Sequence, residues 1–167
     1  MRSTAIFYGS TSGNCEGIAG KIASALGIDS VNVFSASELD ASKLAQYDNF
    51  ILGSSTWGSG DLQDEWYGAV DVINSSNLAG KTVAIFGCGD SSGFSTTFCD
   101  AMAQLYDAAK SAGANIVGAV STDGYTFDES RSVVDGKFVG LALDEDNESD
   151  KTDTRIAEWV AEISPEL

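Results

Sequence analysis

The chain has 167 residues, is 43% hydrophobic, and carries 9 Lys and Arg against 25 Asp and Glu, a formal net charge of -16 with no histidine. That length suits one domain with a full core, and that charge repels nucleic acid and anionic membrane while attracting basic protein surfaces. Without histidine there is no histidine acid–base catalysis, no Ser-His-Asp triad and no histidine metal site, so any chemistry falls to a bound cofactor.

No apolar run approaches the roughly 18 residues of a membrane span, and the opening apolar stretch, residues 5–8, is too short for a secretory signal. Cys15, Cys88 and Cys99 are odd in number and far apart, the pattern of free thiols in a reducing compartment. A cytoplasmic location is the expectation.

Along the chain, strands and helices alternate. Residues 4–8 read as a buried strand bounded by Gly9-Ser10. Over 14–26, Ile18, Ile22 and Leu26 share one helical face, with Gly27 as the stop. Residues 30–34 form a second strand. Phe50-Ile51-Leu52 is a third, running into Gly53-Ser54-Ser55. A helix is predicted over 62–73, then a fourth strand over 82–86 ending in Gly87 and Gly89. The next helix, 97–112, aligns Phe98, Met102, Leu105 and Ala109, and a fifth strand starts at Asn115. A last helix over 153–163 buries Ile156, Trp159, Val160 and Ile163, with capping residues among 149–153.

The polar stretch 121–137 has no helical period and reads as an insertion dividing the fifth strand, with partner contact as its expected role. The chain is thus one domain, 1–167. Five strands separated by helices predict an open, doubly wound parallel α/β sheet with helices on both faces. In such sheets ligands sit beyond the carboxyl ends of the strands, at the switch in strand order.

Three loops fall there. Gly9-Ser10-Thr11-Ser12-Gly13-Asn14-Cys15-Glu16 joins hydroxyls, glycines and a helix N-terminus, a cradle for phosphate that equally suits a plain capped helix start. It holds no Lys or Arg and no G-x-G-x-x-G, which excludes a lysine P-loop and the dinucleotide fingerprint. Ser54-Ser55-Thr56-Trp57-Gly58-Ser59-Gly60-Asp61 sets an indole among small residues, either facing something flat or folded back on the sheet edge. Gly87-Cys88-Gly89-Asp90-Ser91-Ser92-Gly93-Phe94 adds a carboxylate and a second aromatic, and taken alone suits an ordinary connection. Together they fit a planar heterocycle carrying one phosphate.

Ile6-Phe7-Tyr8-Gly9-Ser10-Thr11-Ser12-Gly13-Asn14, Ser55-Thr56-Trp57-Gly58 with Asp61-Leu62-Gln63, and Phe86-Gly87-Cys88-Gly89-Asp90 closely resemble the loops of the flavodoxin family, in the same order and over essentially the whole chain. Gly124-Tyr125 and the run Gly140 to Asn147 are similar to its long-chain subgroup.

The resemblance implies a five-stranded sheet of order 2-1-3-4-5 and non-covalent FMN. The phosphate would lie in the loop of Ser10, Thr11, Ser12, Gly13, Asn14 and Cys15. The flavin would lie between Trp57 and Phe94, in a site that also takes in Ser55, Thr56, Gly58, Ser59, Gly60, Cys88, Gly89, Asp90, Thr97, Phe98 and Cys99. The Gly58 carbonyl would turn to accept the flavin N5–H on one-electron reduction. The implied role is a monomeric, low-potential one-electron carrier, not an enzyme, shuttling between semiquinone and hydroquinone. It would meet basic faces of flavodoxin or ferredoxin reductases and low-potential oxidoreductases in transient complexes.

The family usually has Thr where Cys15 stands and Tyr where Phe94 stands. An FMN-dependent NAD(P)H or quinone reductase is the alternative, though no basic cluster suits a nicotinamide. A signalling receiver domain would need an aspartate where Gly53-Ser54-Ser55-Thr56 stands.

Overall fold

The computed structural model describes residues 3–9, 13–57 and 61–167, with Trp57 described in its backbone only. In chain order the elements are β1 (Thr4–Gly9), α1 (Asn14–Leu26), β2 (Val33–Ser35), α2 (Ala41–Gln46), β3 (Asn49–Trp57), β4 (Asp61–Leu62), α3 (Trp66–Asn74) and β5 (Thr82–Cys88). Then follow α4 (Ala101–Ser111), β6 (Asn115–Val117), β7 (Val120–Ser121), β8 (Val133–Val134), β9 (Lys137–Phe138), β10 (Leu141–Leu143) and α5 (Ser149–Ile163).

The main sheet is parallel, in the order β2-β1-β3-β5. Its last edge is shared: β6 pairs with Thr82, Val83 and Ala84, the first part of β5, while β10 pairs with Phe86, Gly87 and Cys88 farther along. The expected order 2-1-3-4-5 is therefore found, with two segments occupying the fifth position. Between them, β7, β9 and β8 make a small antiparallel sheet.

The central strands are apolar on both faces because helices cover both. Their period of two sends alternate side chains to opposite sides. Ala5, Phe7, Phe50, Leu52, Val83 and Ile85 pack with α3 and α4, whereas Ile6, Ile51, Ala84, Phe86 and Cys88 pack with α1 and α5. Tight apposition requires Gly140, where an added Cβ would lie 2.0 Å from the backbone oxygen of Ile85.

Several boundaries differ from the expectation, each for a local reason. The strand expected over 30–34 starts only at Val33, because the Asp29 carboxylate accepts the Val31 N–H at 3.1 Å and winds Ser30–Asn32 into a 3-10 turn. The short α2, absent from the sequence reading, starts at an Asp40 cap that accepts the Lys43 N–H at 2.8 Å. Six residues with one buried side chain are too few to show a helical period.

The helix expected from Leu62 begins at Trp66, since Asp61 and Leu62 pair antiparallel with Trp57 and Thr56. The helix expected from Thr97 begins at Ala101, since Cys99 has a φ of 53° that a right-handed helix does not allow. At the C-terminus, α5 starts at Ser149, at the first residue of the 149–153 stretch in which the sequence places its N-terminus.

Candidate functional site

β1, β3, β5 and β10 end along one edge, and a cavity of about 490 Å³ opens beyond them. That is within the usual size range for small-molecule sites. Asn14, Ser55, Thr56, Cys88, Gly89, Asp90, Phe94 and Thr97 line it, all residues the sequence marks, together with Glu145 and Asp146. Ser10, Thr11, Ser12, Gly58, Ser59 and Gly60, also marked by the sequence, lie outside the described residues, as does the Trp57 side chain.

At the first wall, Gly13 takes φ 91°, a left-handed conformation that suits glycine and turns the chain into α1. The first intrahelical bond runs from the Gly17 N–H to the Gly13 oxygen at 3.0 Å. The first-turn N–H groups lie at the positive end of the helix dipole. Cys15 does not face the cavity. It is fully buried beneath it, its sulfur 3.3 Å from that of Cys88.

The second wall is fixed from behind. The indole Nε1 of the fully buried Trp66 donates to the Gly53 oxygen at 2.7 Å, and the Gln63 N–H donates to Ser54 Oγ at 3.1 Å. These bonds tie the start of α3 to the end of β3. Beside them, Thr56 Oγ1 accepts the Ala101 N–H at 3.2 Å.

Hydrogen bonds to carboxylates shape the third wall. Asp90 accepts the N–H groups of Ser92 and Gly93 at 3.0 and 2.8 Å and the Asn147 amide at 2.7 Å. The Gly93 N–H, the Asn147 amide and the Ser92 N–H hold its pKa below the ordinary carboxylate value against the effect of burial. Asp144 is fully buried. It accepts the Ser91 N–H at 3.2 Å, the Ser91 hydroxyl, the Asn147 N–H at 3.0 Å and the Asn147 amide at 3.1 Å. It thus clamps the loop after β5 to the loop after β10. Burial, and then the charges of Asp90, Asp144 and Glu145, push the carboxyl of Asp146 above its ordinary value. Phe94 stands 54% exposed at the rim.

Two residues of the expected site sit elsewhere. Phe98 and Cys99 are fully buried and do not line the cavity. Phe98 stacks on Phe127 with centroids 5.5 Å apart and meets Phe138 edge-on at 5.9 Å. The resemblance implied a place for both in the site, but their side chains pack into the core behind the loop instead.

The stretch 121–137 braces this loop. The N–H groups of Asp128 and Glu129 both reach the Ser95 oxygen at 2.9 Å, Ser130 Oγ donates to the Phe98 oxygen at 2.5 Å, and Ser132 Oγ donates to the Cys99 oxygen at 2.6 Å. Those bonds hold Cys99 in its left-handed conformation. The sequence reading passed over Glu145 and Asp146 as site residues. Their signal was a carboxylate run directly after an apolar strand segment, at the edge where such sheets bind ligands.

A second cavity of about 530 Å³ lies between α5 and residues 120–125. Its guanidinium is largely engaged: Arg155 stacks 3.9 Å from the Tyr125 ring centroid and bonds the Gly124 oxygen and Glu148 through Nη2, with the buried Nη1 lacking a partner among the described residues. The strand-end cavity is the better candidate.

With this geometry in place, comparison with known proteins is decisive. The family model described as Flavodoxin matches residues 6–159. The chain belongs to the flavodoxin family. It is 44% identical to the flavodoxin of Synechocystis sp. over 168 residues, covering 100% of this chain and 99% of that relative. It is 41% identical to flavodoxin 1 of Azotobacter vinelandii over 171 residues, covering 100% and 98%. The crystal structure of the Fusobacterium nucleatum flavodoxin bound to flavin mononucleotide matches this flavodoxin fold with a TM-score of 0.93 at 32% identity, covering 100% of this chain and 99% of that one. Among the described residues no helix is long and apolar enough to cross a membrane, and no group of His, Cys, Asp or Glu is arranged to hold a metal ion.

Proposed function

We propose that this chain holds one FMN non-covalently in the strand-end cavity and carries electrons singly between other proteins, without a substrate of its own. The observation that supports this most is the makeup of the cavity. It joins a helix N-terminus, small polar residues, an exposed aromatic ring and three carboxylates, with no Lys or Arg among the described lining residues. Such a donor set fits a monophosphate held by neutral groups beside a flat, uncharged ring system.

The N–H groups of the first turn of α1 and the loop before it would hold the phosphate. Phe94 would cover one face of the ring, and the Cys88 to Asp90 backbone would meet its edge. FMN supplies one-electron chemistry, here between its semiquinone and hydroquinone forms. The chain's contribution is electrostatic. Asp90, Glu145 and Asp146 stand at the cavity, in a protein of net charge -16, and disfavour the extra negative charge of full reduction. Each roughly 1.4 kcal/mol of that disfavour lowers a one-electron potential by about 59 mV.

The same charge is what basic faces of reductases and low-potential oxidoreductases would meet in transient complexes. The chain would act as a monomer in the cytoplasm.

The test is an anaerobic reductive titration of the FMN-loaded chain followed by visible spectroscopy. Two separate one-electron stages are expected. Bleaching in a single two-electron step, with NADPH alone as donor, would instead point to an FMN-dependent NAD(P)H or quinone reductase.

A further inference from the structure

We propose that Cys15 and Cys88 are a reversible thiol–disulfide pair beneath the cavity, closed by hydrogen peroxide when the cavity is open and shielded when a ligand fills it. Cys15 is the second residue of α1 and Cys88 the last of β5, residues 73 apart in sequence. The fold brings their sulfurs to 3.3 Å. A disulfide bond is about 2.05 Å long, so the sulfurs need approach by only about 1.3 Å, a small rotation of two side chains.

Access is one-sided. Cys15 is fully buried, whereas Cys88 is 6% exposed and lines the cavity. A small oxidant therefore meets Cys88 first, through the cavity. The Cys88 sulfur attacks one peroxide oxygen, the O–O bond breaks, and one water leaves, giving a sulfenic acid. The Cys15 sulfur then attacks that sulfur, the S–O bond breaks, and the second water leaves. Two thiols and one peroxide thus become one disulfide and two waters, and an external dithiol reverses the step.

Cys99 is not a competitor. Its thiol points to the carbonyl oxygens of Gly87 and Leu143 at 3.8 Å each, and it does not line the cavity. Neighbouring Cys15 and its own burial hold the Cys88 thiol well above its ordinary pKa, so the reaction is slow at neutral pH.

The shielding half of this proposal rests on the cavity being the FMN site; the pairing half does not. The test treats the full chain, with FMN removed and with FMN bound, with hydrogen peroxide, then denatures it, alkylates it and measures intact mass. In the FMN-free chain one alkylated thiol is expected in place of three, with the protein two hydrogens lighter and a peptide joining residues 15 and 88; dithiothreitol restores all three. Cys99→Ser behaves as the parent. Cys15→Ser and Cys15→Thr, which keep a small side chain for folding, form no cross-link. Bound FMN slows the reaction by at least roughly tenfold.

Three alkylated thiols in the oxidised FMN-free chain, a cross-link through Cys99 or between two chains, or a gain of oxygen in place of the loss of hydrogens would overturn the pairing. Equal rates with and without FMN would overturn the shielding. FMN binding is read separately by quenching of flavin fluorescence, so loss of the FMN site and absence of the disulfide are told apart.

Discussion

Replacing Asp144 with alanine removes the clamp between the loops that follow β5 and β10. Its carboxylate accepts from the Ser91 N–H, the Ser91 hydroxyl, the Asn147 N–H and the Asn147 amide. Hydrogen bonds to a charged group contribute about 1.5–3 kcal/mol each where the donor is left stranded. Here the freed donors have an outlet: Ser91 is half-buried and Asn147 exposed, so both can turn to water. The cost of burying a charge also disappears with the carboxylate. Discounting to roughly 1 kcal/mol for each of two to four bonds gives a loss of about 2–4 kcal/mol.

At a urea slope of about 2 kcal/mol per molar, the midpoint should fall by roughly 1–2 M. The assay is equilibrium urea unfolding of the FMN-free chain followed by tryptophan fluorescence, with Asp144→Asn in parallel. Asparagine retains an acceptor oxygen and should lose about half as much. FMN affinity should fall in both variants, because the two loops together form one wall of the cavity. A midpoint for Asp144→Ala within about 0.3 M of the parent at unchanged slope would refute the clamp.

Four further outcomes are expected. Gly140→Ala drives a Cβ to 2.0 Å from the Ile85 backbone oxygen, which no side-chain movement relieves, so stability should fall by about 3 kcal/mol or more in thermal denaturation. Phe94→Ala should weaken FMN about tenfold in a fluorescence titration while changing unfolding by less than about 0.5 kcal/mol, since the ring is largely exposed. Asp146→Asn removes one charge at the cavity; at roughly 10 Å and an effective dielectric of about 40 that is about 0.8 kcal/mol, so the potential of the second electron should rise by roughly 35 mV in spectroelectrochemistry. Asp90 has a lowered pKa in the folded chain, so its contribution to stability is fully present above the ordinary value of 3.8 and lost as pH falls through the lowered one. Asp90→Asn should therefore be less stable than the parent at neutral pH and converge with it in acid unfolding.

The sequence by itself determined the sheet, the two helical layers and the edge where a ligand belongs. Those features rest on local signals: continuous apolar runs for strands buried on both faces, a helical period in α1 and α5, and small residues with glycine after each strand. Eight residues marked by the sequence, from Asn14 to Thr97, meet at one cavity, because parallel strands bring their following loops together by topology alone.

Only the tertiary structure decided the rest. The start of α4 depended on Cys99, whose left-handed backbone is held by Ser132 from 33 residues away, so the apolar spacing of Phe98 with Met102 misled. Asp61 and Leu62 became a strand because β3 supplied a partner, which no window of local sequence contains. The sequence anticipated a divided fifth strand, but only the pairing of β10 with residues 86–88 set Glu145 and Asp146 at the cavity. Cys15 and Cys88 are far apart in the chain, and only the packing of the start of α1 against the end of β5 sets their sulfurs side by side. Periodicity reports what a segment does with its neighbours in sequence; pairing, strained backbone and contacts between distant side chains are settled when the layers close.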